Sequence, residues 1–212
     1  MSELQVVAVP VTAYLVGAVP FALLIGFMAG VDLRRTGTGN IGAGNLTRSV
    51  GLRHGAAAAL LDGLKGLVPI LVARRLGLSP SVVAMTGVAA VAGHNWPIYL
   101  RGRGGRGLAT SAGAVCGMAP VLLLWAGAWA MTGWRIGGGV AGFVGWGLLP
   151  ALAISLGQPR DVVIATTGLA LMMMARRMQG NADSAPGPRA ALERTVWDMD
   201  RESRRVHEPA PT

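Results

Sequence analysis

The chain has 212 residues, 52% of them hydrophobic and only 14% charged, with a mean hydropathy of +0.49. Ordinary soluble domains carry about 25% charged residues, so this composition excludes a disordered chain, a disulfide scaffold and an ordinary soluble enzyme, and long charge-free runs point to an integral membrane protein. The formal net charge of +9 is carried by arginine, with Lys65 the single lysine, and lies almost wholly in residues 1–175; it favours an anionic substrate or anionic lipid headgroups, while basic loops also orient a membrane protein.

Residues 4–31 carry no charge and predict the first span. The start of the chain is unlike a cleaved signal peptide, because Glu3 stands where a basic residue is usual and the apolar run is long enough to cross. The loop that follows reads Gly37-Thr38-Gly39-Asn40-Ile41-Gly42-Ala43-Gly44-Asn45, with Arg48 and Gly51 after it. Four glycines so close together let a backbone approach a ligand, and successive N–H groups in such a loop form an anion-binding nest. Arg48 adds a side chain suited to bidentate phosphate contact. A flexible connector is the alternative. The loop is not a nucleotide P-loop, since Gly-x-x-x-x-Gly-Lys-Ser/Thr is absent.

Residues 55–73 predict the second span although they contain Asp62 and Lys65. These lie three apart on one helix face and can pair; a lone charge in mid-membrane costs about 2.5–3.5 kcal/mol, so both are expected to face the bundle interior. A structural ion pair and a ligand contact by Lys65 are both open. Residues 81–99 predict the third span, with His94 near its end as a general base, a donor to an anion, or a structural hydrogen-bonder. The next loop carries Arg101, Arg103 and Arg106 among Gly102, Gly104, Gly105 and Gly107, again a composition suited to a polyanion at close range.

The uncharged run 108–134 is either one tilted helix or a hairpin turning at Gly117-Met118-Ala119-Pro120. The hairpin gives seven spans with the N-terminus outside, and places ten arginines on the cytoplasmic side against Arg74, Arg75 and Arg160 outside, obeying the positive-inside bias. The first half of that hairpin is too short to span and is expected inside the bundle. Residues 136–158 and 162–175 are the last apolar runs. The predicted fold is therefore an all-α polytopic membrane bundle over residues 1–177, followed by a tail over 178–212. From Asn181 the tail is rich in Pro, Gly, Ser and Ala, and residues 190–206 have the pattern of a charged helix. Cys116 is alone, so no intrachain disulfide or thiol cluster is expected.

Several chemistries are missing: no Gly-x-Ser-x-Gly elbow, no His-Glu-x-x-His or other metal-ligand spacing, and no His-x-x-x-x-Asp pair of soluble-type acyltransferases, since His54 leads to Ala59 and His94 to Tyr99. The pattern is built to hold anions and offers no obvious protein nucleophile.

These motifs resemble the bacterial membrane acyl-phosphate:glycerol-3-phosphate acyltransferase family, of PlsY type, from about Tyr14 to Asn181. The family's Gly-Ser-x-Pro corresponds to Gly17-Ala18-Val19-Pro20. Its Gly-Ser-Gly-Asn-Ile-Gly-Ala-Thr-Asn matches Gly37 to Asn45 except at Thr38 and Gly44. Arg48, Asp62, Lys65 and Gly66 follow. Its Gly-His-x-x-Pro and Lys-Gly-Gly-Lys-Gly-x-Ala-Thr correspond to Gly93, His94 and Pro97, and to Arg103 through Thr110. Both loop lysines are arginine here, Gly137, Gly138 and Gly139 stand where the family has serines, and in the last motif Asn181 is kept while Met178 and Ser184 replace His and Arg.

The resemblance implies transfer of a fatty acyl group from acyl phosphate to the sn-1 hydroxyl of glycerol 3-phosphate, giving lysophosphatidic acid, with no metal or other cofactor. It implies a multi-pass protein of the bacterial plasma membrane with a cytoplasmic-face site, acting on acyl phosphate and glycerol 3-phosphate among membrane lipid, with no nucleic-acid partner. Arg48, Arg106, His94 and Asn181 are the expected catalytic residues. Gly37, Thr38, Gly39, Asn40, Gly42, Asn45, Lys65, Arg103, Gly104, Gly105 and Gly107 are the expected substrate-binding residues. A non-catalytic membrane protein binding phospholipid or organic phosphate, and a small organic-anion transporter, are the alternatives; no inverted repeat supports the transporter.

Overall fold

The computed structural model of the chain describes residues 2–136, 138–180, 187–188 and 191. Among these, regular structure is entirely helical. The helices are α1 (Glu3–Gly17), α2 (Phe21–Met28), α3 (Ala43–Ser49), α4 (Leu52–Arg75), α5 (Pro80–Asn95), α6 (Leu108–Met118), α7 (Leu122–Ile136), α8 (Gly138–Gly147), α9 (Leu149–Ser155) and α10 (Arg160–Gln179). A short 3₁₀ turn covers Ile98–Leu100.

The stretch Glu3–Met28 and helix α4 are long and apolar enough to cross a bilayer. The 24 residues of α4 rise about 36 Å, against a hydrocarbon core of about 30 Å. Leu60, Val68 and Leu71 of α4, Leu124 of α7, and Ile164 and Leu171 of α10 are exposed. Such an apolar exterior suits lipid rather than water.

The first predicted span is broken. Pro20 cannot donate a backbone hydrogen bond, so α1 ends at Gly17 and α2 begins at Phe21, with Ala18, Val19 and Pro20 between them. At the break the Val19 carbonyl accepts hydrogen bonds from Lys65 Nζ at 2.8 Å and from the Phe21 N–H at 3.2 Å. The predicted run 136–158 is likewise two helices, α8 and α9, the second opening with Pro150 in its first turn.

The hairpin reading of 108–134 is the one observed: α6 stops at Met118 and α7 starts at Leu122. The 11 residues of α6 rise only about 16 Å. Ser111, Ala114 and Val115 are fully buried, and α6 packs along α4. That approach needs glycine, because a Cβ on Gly66 would overlap the Thr110 carbonyl oxygen and one on Gly113 the Gly63 carbonyl oxygen. The α1–α5 crossing uses the same device, Gly17 against Ala90 and Gly93 against Tyr14. Small residues that let backbones meet are the usual basis of helix association in lipid, where no hydrophobic force draws helices together.

Two apolar clusters result. The larger includes Ile70, Val91, Val115, Leu122, Leu149 and Leu169, and joins α4, α5, α6, α7, α9 and α10. The smaller, of Ala22, Leu23, Leu33, Ile41, Leu46 and Ala58, packs beneath the first glycine-rich loop and gives it a floor.

Candidate active site

The two glycine-rich loops meet at one end of the bundle. A cleft of about 610 Å³ opens there, lined by Arg34, Arg35, Arg101, Arg103 and Arg176 together with Gly39, Ile41, Tyr99, Leu100 and Gly104. Five guanidiniums around one cleft match the polyanion expected from sequence. Of the predicted residues, Gly39, Arg103 and Gly104 are in this lining.

The first loop is organised from within by Asn45, which is fully buried. Its amide donates to the carbonyls of Leu33 at 3.2 Å and Thr36 at 2.8 Å, and its Oδ1 accepts from the Thr38 backbone N–H at 3.1 Å. Gly37 has φ +62°, and a Cβ there would overlap Asn45 Oδ1. Asn45 thus shapes the loop from within. Asn40 stands between the two cleft-lining residues Gly39 and Ile41. Its Oδ1 is shielded from solvent and has no hydrogen-bond partner among the described residues. Gly42 precedes α3, where a Cβ would meet the Asn40 amide at 3.2 Å. Arg48 is exposed on α3.

At the mouth, Arg34 forms a bidentate pair with Asp32, at 2.9 Å from Nε to Oδ1 and 2.8 Å from Nη2 to Oδ2. The Arg34 side-chain hydrogen bond holds the Asp32 carboxyl below the usual carboxylate range, and Asp32 raises Arg34 in return. Arg34 also lies 5.4 Å over the Phe27 ring.

The second loop is pressed against the end of α5. The Gly105 N–H donates to the His94 carbonyl at 3.1 Å. A Cβ on Gly104 would overlap that carbonyl oxygen and stand 2.5 Å from the Asn95 carbonyl oxygen. One on Gly105 would overlap His94 Nε2, and one on Gly107, at φ +78°, would overlap Asn95 Oδ1. The glycines at 104, 105 and 107 are therefore required by contact with His94 and Asn95. Arg101 has φ +52°, uncommon for a residue with a side chain, and stands with Arg103 on the cleft rim. Arg106 is half-buried on the same loop.

His94 and Lys65 point into the bundle. His94 is 8% exposed with its ring under Gly105, and its Nδ1 lies 3.7 Å from Asp62 Oδ1. Lys65 pairs with Asp62 at 2.8 Å, both side chains almost wholly buried, and lies 5.7 Å over the Phe21 ring. Of the alternatives left open by the sequence at Asp62 and Lys65, the ion pair is the one formed. Asn181 and Gly137 lie outside the described residues, as does the predicted helix at 190–206 apart from Ala191. Met178 is more than half exposed.

Sequence reading missed Arg176, 6% exposed and in the cleft lining, because it was counted only as a topological charge. It also missed Arg34 and Arg35 as cleft residues for the same reason, while Arg101, read with Arg103 and Arg106 as suited to a polyanion, is in the lining. Among the described residues no group of His, Cys, Asp and Glu has the arrangement of a metal site.

The profile of the glycerol-3-phosphate acyltransferase family matches residues 7–183. A Geobacter sulfurreducens protein named glycerol-3-phosphate acyltransferase is 48% identical over 124 residues, 58% of this chain and 62% of that protein. The matched stretch is thus less than two thirds of that relative's length. Glycerol-3-phosphate acyltransferase 4 of Dehalococcoides mccartyi is 39% identical over 188 residues, 84% of this chain and 80% of that one. Among solved structures, PlsY (YgiH), an integral membrane glycerol 3-phosphate acyltransferase in its glycerol 3-phosphate form, superposes with a TM-score of 0.76 at 30% identity, covering 82% of this chain and 89% of that one. By the family match across most of its length, and with its glycine loops closing an arginine-lined cleft, the chain belongs to the glycerol-3-phosphate acyltransferase family.

Proposed function

We propose that the chain transfers a fatty acyl group from acyl phosphate to the sn-1 hydroxyl of glycerol 3-phosphate, releasing lysophosphatidic acid and inorganic phosphate. The observation that carries this reading is the cleft in which five arginines and two glycine-rich loops converge at one end of an all-helical bundle. Its family relatives bear the acyltransferase name, and the superposed PlsY was solved in a glycerol 3-phosphate form.

An acyl phosphate is a mixed anhydride with a good leaving group, so the protein need mainly align two phosphates and neutralise their charge. The glycerol hydroxyl oxygen forms the ester bond to the acyl carbon as the acyl–phosphate C–O bond breaks. The hydroxyl proton passes to the departing phosphate, because His94 is turned under Gly105. Arg103, Arg106 and Arg48 hold phosphate, with backbone N–H groups at 39–44 and 104–107 completing the cradle. The lone Oδ1 of Asn40 accepts a hydrogen bond from a glycerol hydroxyl. Asn45, Lys65 and His94 serve by holding the loops, and Asn181 is a further catalytic residue. We further propose seven spans with the N-terminus outside, a membrane domain over 1–177, a cytoplasmic tail over 178–212, and the cleft on the cytoplasmic face of a bacterial plasma membrane.

The direct test supplies purified protein in detergent with labelled glycerol 3-phosphate and either palmitoyl phosphate or palmitoyl-CoA. Lysophosphatidate from the acyl phosphate alone is expected. Folded protein that yields none with either donor would move the reading to a phosphate-binding protein. Within this scheme Arg48→Ala abolishes turnover, at least about a hundredfold, whereas His94→Ala lowers kcat less than about tenfold. A His94→Ala loss as deep as that of Arg48→Ala, in protein of unchanged melting temperature, would reinstate His94 as the base. Arg103→Ala is expected to raise KM for glycerol 3-phosphate about tenfold, the effect of losing one charged hydrogen bond.

A further inference from the structure

Arg176 sits near the end of α10 with its guanidinium buried. Nη2 donates to the Gly104 carbonyl at 2.6 Å, and Nη1 donates to the Gly180 carbonyl. Gly104 is the residue whose Cβ would strike the end of α5. Gly180 adopts φ +70°, ψ −165°, a backbone conformation open essentially to glycine, and its carbonyl is held by the guanidinium of its own helix. One planar fork therefore grips two chain segments far apart in sequence. A lysine, whose ammonium is a point charge on a flexible stem, does not reproduce that grip.

A second bond ties the same regions. Trp96 Nε1 donates to Gln179 Oε1 at 2.8 Å, and the Trp96 carbonyl accepts from the Tyr14 hydroxyl at 2.8 Å. The last turn of α10 is thus fastened to the end of α5 and to the second glycine loop, and Arg176 is the fastening inside the cleft lining.

We propose that Arg176 is a positioning residue: by holding the Gly104 and Gly180 carbonyls with one guanidinium, it sets the second glycine loop in the shape that receives substrate phosphate. The role rests on the acyltransferase reading for its kinetic consequence but not for its structural one.

The test uses the full chain in detergent, with Arg176→Gln, Arg176→Lys and Arg176→Ala. Trypsin cleavage after Arg101, Arg103 and Arg106 reads the loop directly. Arg176→Gln is expected to speed that cleavage and to raise KM for glycerol 3-phosphate, each about tenfold, with kcat changed less than about threefold. Arg176→Lys falls between it and the unaltered protein, and methylguanidinium restores the KM of Arg176→Ala. Unchanged cleavage and KM in Arg176→Gln overturn the proposal. So does a fall in kcat alone that methylguanidinium does not repair. Should Arg176→Gln not fold, Arg176→Lys decides, since cleavage and KM equal to those of the unaltered protein would overturn it equally. Should the unaltered chain show no acyl transfer while Arg176→Gln still loosens the loop, the acyltransferase reading fails and the positioning role stands.

Discussion

Alanine at position 104 is expected to lower kcat/KM for acyl transfer at least about a hundredfold, the cost of misplacing a reacting group by about an ångström. The added methyl has nowhere to go. It would overlap the His94 carbonyl oxygen and lie 2.5 Å from both the Asn95 carbonyl oxygen and Pro97 Cδ. Two of these three are backbone atoms of the α5 terminus, and no rotamer change relieves them. The loop must instead lift off α5, breaking the Gly105 N–H bond to His94 and the Arg176 bond to Gly104. Arg103 and Arg106 would move with it. Gly44→Ala is the control from the other glycine loop. Its Cβ meets nothing nearer than Arg48 Nη1 at 4.0 Å, and it lies inside α3, where alanine is favoured over glycine by about 1 kcal/mol. Activity within about twofold is expected there, since this change leaves the backbone alone. Kinetics of the two variants beside their melting temperatures check the contrast. Equal activity in both would mean that the close packing of the second loop on α5 does not govern the site.

The same packing shows what the chain disclosed before any coordinates. Gly104, Gly105 and Gly107 could be singled out from their interleaving with arginine, and the hairpin at Pro120 followed from the proline and from the side on which Arg135 had to fall. Both are features that residue type and order carry directly. The breaks at Pro20 and Pro150 did not emerge, because in a lipid-facing run the residues on either side of a break are equally apolar and hydropathy has no boundary to report. Asn45 was placed among the substrate-binding residues by the family resemblance. Nothing in its position along the chain says that it turns inward to bind Leu33, Thr36 and Thr38. Arg176 escaped notice for the converse reason. An arginine at the end of a span normally marks the cytoplasmic side, and only packing reveals that this one is buried against Gly104.

Removal of one member of the Asp62–Lys65 pair is expected to cost far more stability than removal of both. The two side chains are 3% and 2% exposed, 2.8 Å apart on one face of α4. Asp62 also lies 3.7 Å from His94 Nδ1, and Lys65 donates to Val19 at the α1–α2 break. Breaking a buried pair leaves an uncompensated charge and typically costs about 3–5 kcal/mol, and a lone charge at the centre of a span costs about 2.5–3.5 kcal/mol by itself. Asp62→Ala strands the ammonium of Lys65; Lys65→Met strands the carboxylate of Asp62 and also removes the Nζ hydrogen bond to the Val19 carbonyl. The double variant Asp62→Asn, Lys65→Met keeps the volume, removes both charges and loses only hydrogen bonds, each worth about 1 kcal/mol. Its unfolding free energy in mixed micelles should therefore recover more than half of what either single variant loses. If instead the double variant is as unstable as the singles, the pair acts through the specific contacts of Lys65 at the helix break, and charge balance is not what α4 requires. If Asp62→Ala loses less than about 1 kcal/mol, the interior around α4 already solvates the ammonium, and Lys65 would regain its standing as a group open to a phosphate.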